Sequence, residues 1–290
     1  MKGEAFAHGA ATIVNAIATG KGAAFGIGLK TWAEVEIVHG DGVVAEIEGF
    51  GHEDTTLIRK CVEAVLARYF PRKGLGAKVR TRSEIPISRG LKSSSAAANA
   101  VIFATLRAIG AEYESLEAIK IGTKCAIESG VSITGALDDA CASFYGGVVI
   151  TDNNKGTIIK RDSMPDGLKV LIHVPDFQIR KNRLPLDSIR SIRNIVELAY
   201  ERALAGDYFT AMTLNGLAYG AALNIGQEIA IRALSKGAKA AGLSGTGPAT
   251  VILIEEEQLD DFLGDFEDVK FIVTDIYNGE LHTQEKGDQR

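Results

Sequence analysis

The spacing of apolar and polar positions changes period several times along the chain, and each change predicts an element. The runs "WAEVEIVHG" and "VVAEIEGF" alternate with period two, and the "GDG" between them predicts a hairpin. "DTTLIRKCVEAVLARYFP" switches to helical spacing, from a capping Asp54 to a stop at Pro71. "AKVRTRSEI" returns to alternation, and a helix is expected from Ser93 through "SSSAAANAVIFATLRAIG". "YESLEAIKIGTKCAIESG" reads as another helix, ending at Gly130, and "GGVVITDNNKGTIIK" as a hairpin-like stretch.

The pattern starts afresh between residues 150 and 165, which predicts a domain boundary near 155. "LKVLIHVPD" reads as a buried strand, and Ser188 to about Gly242 as helical with breaks at Gly206 and around Gly226. "ATVILIEEE" and "VKFIVTDIY" are late strands flanking a short helix, "QLDDFLGDF", and the polar tail "NGELHTQEKGDQR" is expected to be loose. Strands in clusters followed by helices predict α+β layers.

Composition narrows the class. The 290 residues are 46% hydrophobic and 24% charged, enough for one large or two modest soluble domains. A net charge of −5 argues against a nucleic-acid surface, though not against a small anionic ligand in a local basic pocket. Cys61, Cys125 and Cys141 are far apart and form no CxxC pair, which argues against a disulfide framework or zinc site and fits a reducing cytoplasm. Glycines, His8 and Asn15 interrupt the apolar N-terminus, so no signal-peptide core is expected there. No stretch reaches the roughly 18 apolar residues of a membrane helix. A soluble, cytoplasmic protein without a membrane partner is expected.

Three glycine-rich places carry the candidate chemistry. In "PISRGLKSSSAAANA" a helix beginning near Ser93 offers backbone N–H groups that lack intrahelical partners, together with the positive end of the helix dipole. Gly90 allows close approach of a ligand, Lys92 adds a full charge, and three hydroxyls exceed what a single cap requires. The loop predicts a phosphate site. It is not a Walker loop, since Gly20–Lys21 has Asn15 and Gly22 where that motif needs glycine and a hydroxyl, and no strand leads into a GxGxxG. In "CAIESGVSITGALDDACASFYGG", Glu128, Asp138 and Asp139 are candidates to hold magnesium or to accept a proton. In "AGLSGTGPATVILI", Gly242, Gly245 and Gly247 suggest a ligand-facing concave loop.

Together and in this order, the three segments resemble the GHMP kinase superfamily. The central motif P-x-x-x-G-L-G-S-S-A-A is met by Pro86, Gly90, Leu91, Ser93, Ser94 and Ala96, and "GLSGTGPA" is similar to the C-terminal motif. Lys92 stands where the motif usually has glycine, and Ser95 extends Ser-Ser to a triple serine. Within the superfamily, "GLKSSSAAANA", "TIVNAIATGKGAAFGI" and "LDDACASFYGG" resemble the archaeal type of shikimate kinase. That resemblance implies an α+β fold of two domains. Residues 1–155 would form a mixed sheet with helices that carries the phosphate loop and acids, and residues 156–290 a ferredoxin-like α/β sandwich with the substrate cleft and third motif.

The resemblance also implies ATP and Mg2+ as cofactors, shikimate as the acceptor, and roles for individual residues. Pro86, Gly90, Leu91, Lys92, Ser93, Ser94 and Ser95, with Gly245, Thr246 and Gly247, match the nucleotide-binding positions. Ser94 and Glu128 match the metal ligands, and Asp139, eleven residues after Glu128 and seven before Gly146–Gly147, matches the catalytic base that also meets substrate. Asp138 takes that part if the alignment slips by one. Lys21 corresponds loosely to an N-terminal lysine near the reacting groups. Arg180 and Arg183 are the candidates for the acceptor carboxylate, because a guanidinium matches it in a bidentate pair. Homoserine kinase or another small-alcohol kinase, and a non-catalytic metabolite-binding regulator on the same scaffold, are the alternatives; "LDDA" argues against the first, and retention of Ser94, Glu128 and Asp139 against the second.

Overall fold

A computed structural model describes residues 1–50, 53–71, 74–87, 89–177 and 184–279. Its spine is one long strand, β2 (Lys21–His39), which pairs antiparallel with β1 (Lys2–Val14) along one edge. The other edge of β2 meets three strands in succession. These are β5 (Val148–Asp152) beside Lys21 to Phe25, β10 (Phe271–Tyr277) beside Gly26 and Ile27, and β4 (Leu75–Ser83) beside Thr31 to His39. A single strand therefore links the N-terminal sheet to the last strand of the chain.

The expected hairpin through "GDG" does not form. β3 (Gly42–Ile47) pairs parallel with β4, and β4 lies between β3 and β2. Alternation reports which side chains face inward, not which neighbour supplies the backbone partners. This parallel pair makes the N-terminal sheet mixed.

The other expected pairing does form. β5 turns back antiparallel into β6 (Thr157–Asp162), and the expected boundary near 155 falls in that turn. Beyond it, β7 (Leu168–His173) runs antiparallel between β10 and β9 (Thr250–Glu255), and β8 (Ala240–Leu243) completes the order β10-β7-β9-β8. β8 occupies a stretch that the sequence pattern assigned to helix and loop. Its four residues, "AAGL", are too few and too small to show alternation.

Helix boundaries follow local chemistry. α1 (Thr56–Tyr69) starts where Asp54 Oδ1 accepts from the Thr56 N–H at 2.8 Å, and it stops before Pro71, which disfavours helical geometry in the residue before it. α2 (Ser93–Ile109) packs against β1 and β2 on one side and against α1, α3 (Ser115–Glu128) and α4 (Leu137–Tyr145) on the other. The run of alanines in its first half, Ala96, Ala98 and Ala100, is buried, so the helix lies close to the sheet. α5 (Leu186–Ser191), α6 (Arg193–Leu204), α7 (Tyr208–Ala222) and α8 (Glu228–Ser235) account for the long helical stretch, and α9 (Leu259–Gly264) precedes β10.

α7 controls the turn that leads into β2. The Tyr219 hydroxyl accepts from the Ala18 N–H at 3.0 Å and donates to Asn15 O at 3.2 Å, while Asn215 Oδ1 accepts from the Asn15 N–H at 2.9 Å. Tyr219 is fully buried, and burial pushes its hydroxyl pKa up, so it remains a neutral donor. Tyr219→Phe leaves Ala18 N–H and Asn15 O buried without that partner. Urea denaturation is expected to show a loss of about 1–3 kcal/mol, the cost of unsatisfied buried polar groups.

Candidate active site

Three chain segments converge at the mouth of α2. Gly90 has φ +88°, and a β-carbon there would lie 2.2 Å from Ser244 O, so only glycine fits. Ser244 Oγ donates to Gly90 O at 2.9 Å and accepts from the Thr12 N–H at 3.2 Å. The Gly245 N–H donates to Thr12 Oγ1 at 2.9 Å, and the Ala249 N–H donates to Arg89 O at 3.0 Å. The first and third glycine-rich motifs, 154 residues apart between Gly90 and Ser244, are therefore laced together over β1.

No side chain caps α2. Lys92 occupies the cap position in left-handed geometry, φ 62° and ψ 30°, and its side chain makes no cap hydrogen bond. Ser93, Ser94 and Ser95 form the first turn and are half-buried. Leu91 is fully buried and anchors the loop, and Pro86 is half-buried at its entrance. Thr246 and Gly247 are buried beside Gly245 in the third loop.

The acidic pair forms the first turn of α4. Asp138 and Asp139 are 2% and 4% exposed, and the positive end of α4 favours carboxylates there. Lys92 Nζ stands 2.9 Å from Asp139 Oδ2, and Asp139 Oδ1 is buried without a partner. Asp138 Oδ1 accepts from Asn153 Nδ2 at 3.0 Å, and Asn153 is fixed in turn by the Thr151 hydroxyl at 2.6 Å. Asp138 packs against the bare α-carbon of Gly22, where a β-carbon would lie 2.5 Å from its carboxyl carbon. Burial, and after it the charge of Asp139, pushes the Asp138 pKa up to about 7, against the opposing pull of Lys92 and Asn153.

The other expected residues are placed differently. Lys21 is exposed at the start of β2, with Nζ 5.5 Å from the centre of the Tyr200 ring rather than in contact with Asp139. Glu128 is partly exposed at the end of α3, where it pairs with Lys60 at 3.5 Å and Lys124 at 3.9 Å. No three His, Cys, Asp or Glu side chains gather around a metal position among the described residues. Arg180 and Arg183 lie outside the described residues.

Several participants gave no sequence signal. Asn153 sits in "TDNNKG", which reads as an ordinary turn, and Gly22 in a glycine-rich strand. Arg89 carries no motif of its own, yet its Nη1 donates to Pro175 O at 2.6 Å and also to Phe177 O, tying the exit of β7 to the phosphate loop. Thr12 and Ser244 are recognisable only once β1 and β8 are seen to meet.

Comparisons with known proteins give the family and the fold. The GHMP kinases N terminal domain family matches residues 56–147. The shikimate kinase of Methanothrix thermoacetophila is 48% identical over 261 residues, covering 90% of this chain and 88% of its own. That of Methanosarcina mazei is 50% identical over 260 residues, covering 89% and 87%. Among solved structures, a mevalonate kinase superimposes with a TM-score of 0.73 at 18% identity, covering 96% of this chain and 99% of its own. Lactococcus lactis galactokinase complexed with galactose gives 0.74 at 14%, covering 96% and 94%. At those identities the likeness concerns the fold.

The titration of Asp138 has a measurable consequence. In the unfolded chain an aspartate titrates near 3.8, so the folded state binds this proton more tightly. Its stabilising contribution is complete below pH about 4 and is lost as pH rises through about 7. Asp138→Asn keeps an oxygen for Asn153 and removes the charge. Thermal melts should show the variant gaining on wild type progressively between about pH 4 and 7. A difference that stays flat across that range would mean that Asp138 does not titrate there.

Proposed function

The chain belongs to the archaeal shikimate kinases within the GHMP kinases, and from that premise we propose that it transfers the γ-phosphate of ATP to the 3-hydroxyl of shikimate. The observation that carries the chemistry is the unpartnered, buried Oδ1 of Asp139 beside an uncapped helix mouth. Phosphoryl transfer asks a protein for positioning and charge neutralisation more than for covalent help.

Residue roles follow from the donors available. The N–H groups and hydroxyls of Ser93, Ser94 and Ser95, with the bare backbone at Gly90 and Gly245 to Gly247, receive the triphosphate. Ser94 would hold Mg2+ through its hydroxyl, and Glu128 would join it on leaving Lys60 and Lys124. Their chemistry fits, because such an ion takes one or two protein oxygens and draws the rest of its shell from phosphate and water. The present ion pairs of Glu128, on a partly exposed side chain, are of the kind that costs little to exchange. Bound there, the ion would offset charge on the phosphate oxygens.

Asp139 Oδ1 takes the proton of the acceptor hydroxyl as the oxygen bonds to the γ-phosphorus and the bond to the β-phosphate oxygen breaks, leaving ADP and the phosphate ester. Arg180 and Arg183 are assigned to the acceptor carboxylate, on the segment that Arg89 tethers at Pro175 and Phe177. Lys21 lies over the Tyr200 ring, one residue before Gly22, against which Asp138 packs.

A coupled ADP-release assay with shikimate, homoserine and mevalonate tests the acceptor. Turnover with shikimate is expected, and phosphorylation of homoserine in its place would overturn the assignment. Asp139→Asn is expected to keep nucleotide binding by calorimetry and to lose about 10²- to 10⁴-fold in kcat, the usual worth of a positioned base. Undiminished kcat in that variant would remove Asp139 from the reaction.

A further inference from the structure

We propose that Lys92, reaching out of the phosphate loop, is the lysine that positions the catalytic aspartate in this chain, in place of the N-terminal Lys21. The inference rests on the reading of Asp139 as the base and deepens it by naming what holds that base.

Four observations carry it. Lys92 Nζ lies 2.9 Å from Asp139 Oδ2, and the two side chains are 13% and 6% exposed, so the pair is shielded from water. Lys92 adopts φ 62° at a position where the motif usually has glycine, a conformation that a β-carbon disfavours. A strained residue at the cap of a ligand-facing helix points to a task for its side chain. The ammonium also lies against the third loop, because a β-carbon on Gly245 would come within 2.9 Å of Nζ. Lys21, by contrast, is exposed and sits over the Tyr200 ring.

The arrangement divides the carboxylate between two tasks. Lys92 holds Oδ2, which fixes the side chain and leaves the buried Oδ1 without a partner. Asp138 lies next to this pair and is held by Asn153 instead, so loss of Lys92 leaves the buried Asp139 without the cation that contacts it. The same ammonium belongs to the loop that receives the phosphates, so it also faces charge that develops during transfer. Its contribution therefore appears in turnover more than in ground-state binding.

Steady-state kinetics of Lys92→Met, Lys92→Gly, Lys92→Arg and Lys21→Met test this, alongside thermal melts. Lys92→Met and Lys92→Gly are expected to lower kcat by about 100-fold, with KM for ATP and for shikimate within about threefold, and Lys92→Arg to recover part of the loss. Lys21→Met should cost less kcat than either. A raised KM for ATP with kcat retained would overturn the proposal and make Lys92 an anion anchor alone. A loss of rate no larger than the loss of folded protein would overturn it as well. The pair is also measurable without any acceptor, by a double-mutant cycle over Lys92→Met and Asp139→Asn in urea. Non-additive unfolding is expected and additivity would refute the contact. A strongly coupled pair in a protein inactive towards shikimate would refute the acceptor assignment and leave this one standing.

Discussion

The structure is organised around the burial of charge. Lys92, Asp138 and Asp139 are drawn from the starts of two helices into one pocket, where each ion loses several kcal/mol of hydration. The fold meets that cost locally. A lysine contacts one carboxylate, an asparagine donates to the other, and the amino end of α4 adds its dipole to both. Glycine at 22 makes room for Asp138, and glycine at 90 lets the backbone of the third motif close over the loop. Elsewhere the buried polar groups are mostly neutral and hydrogen-bonded, as Asn15, Asn215 and Tyr219 are to one another's backbone and side chains.

β2 brings these pieces together. Its first residues touch the pocket through Gly22, its middle pairs with the last strand, and its far half anchors β4, whose end leads into the phosphate loop. The Tyr219 hydroxyl holds the turn before it, and Arg89 holds the exit of β7 against the loop. A residue far from any reacting atom can therefore displace the pocket only by moving one of a few hydrogen bonds. That rigidity suits chemistry in which alignment supplies most of the rate.

Much of this was legible in the sequence, and the misses have physical reasons. Long helices such as α2 and α3 announced themselves through 3.6-residue periodicity, and the motifs at Gly90, Asp139 and Gly245 were found because several unusual residues stand together. The pairing of β3 was misread because alternation specifies a buried face and not a partner strand. β8 was missed because four small residues carry no period. Gly22, Asn153 and Arg89 were invisible for a different reason. Each matters through what it touches in three dimensions, and an isolated glycine, asparagine or arginine is common in any turn.

The place of β10 has a consequence for assembly. The strand that joins the two halves of the sheet, by pairing with β2 on one side and β7 on the other, is drawn from residues 271–277. During synthesis, about 250 residues separate the emergence of Ile27 from that of its partner Ile276. Until then the inner edges of β2 and β7 remain open, and closing them requires contacts of very high sequence separation, which fold slowly. The nascent chain must shield an unfinished sheet until residues 271–277 have left the ribosome.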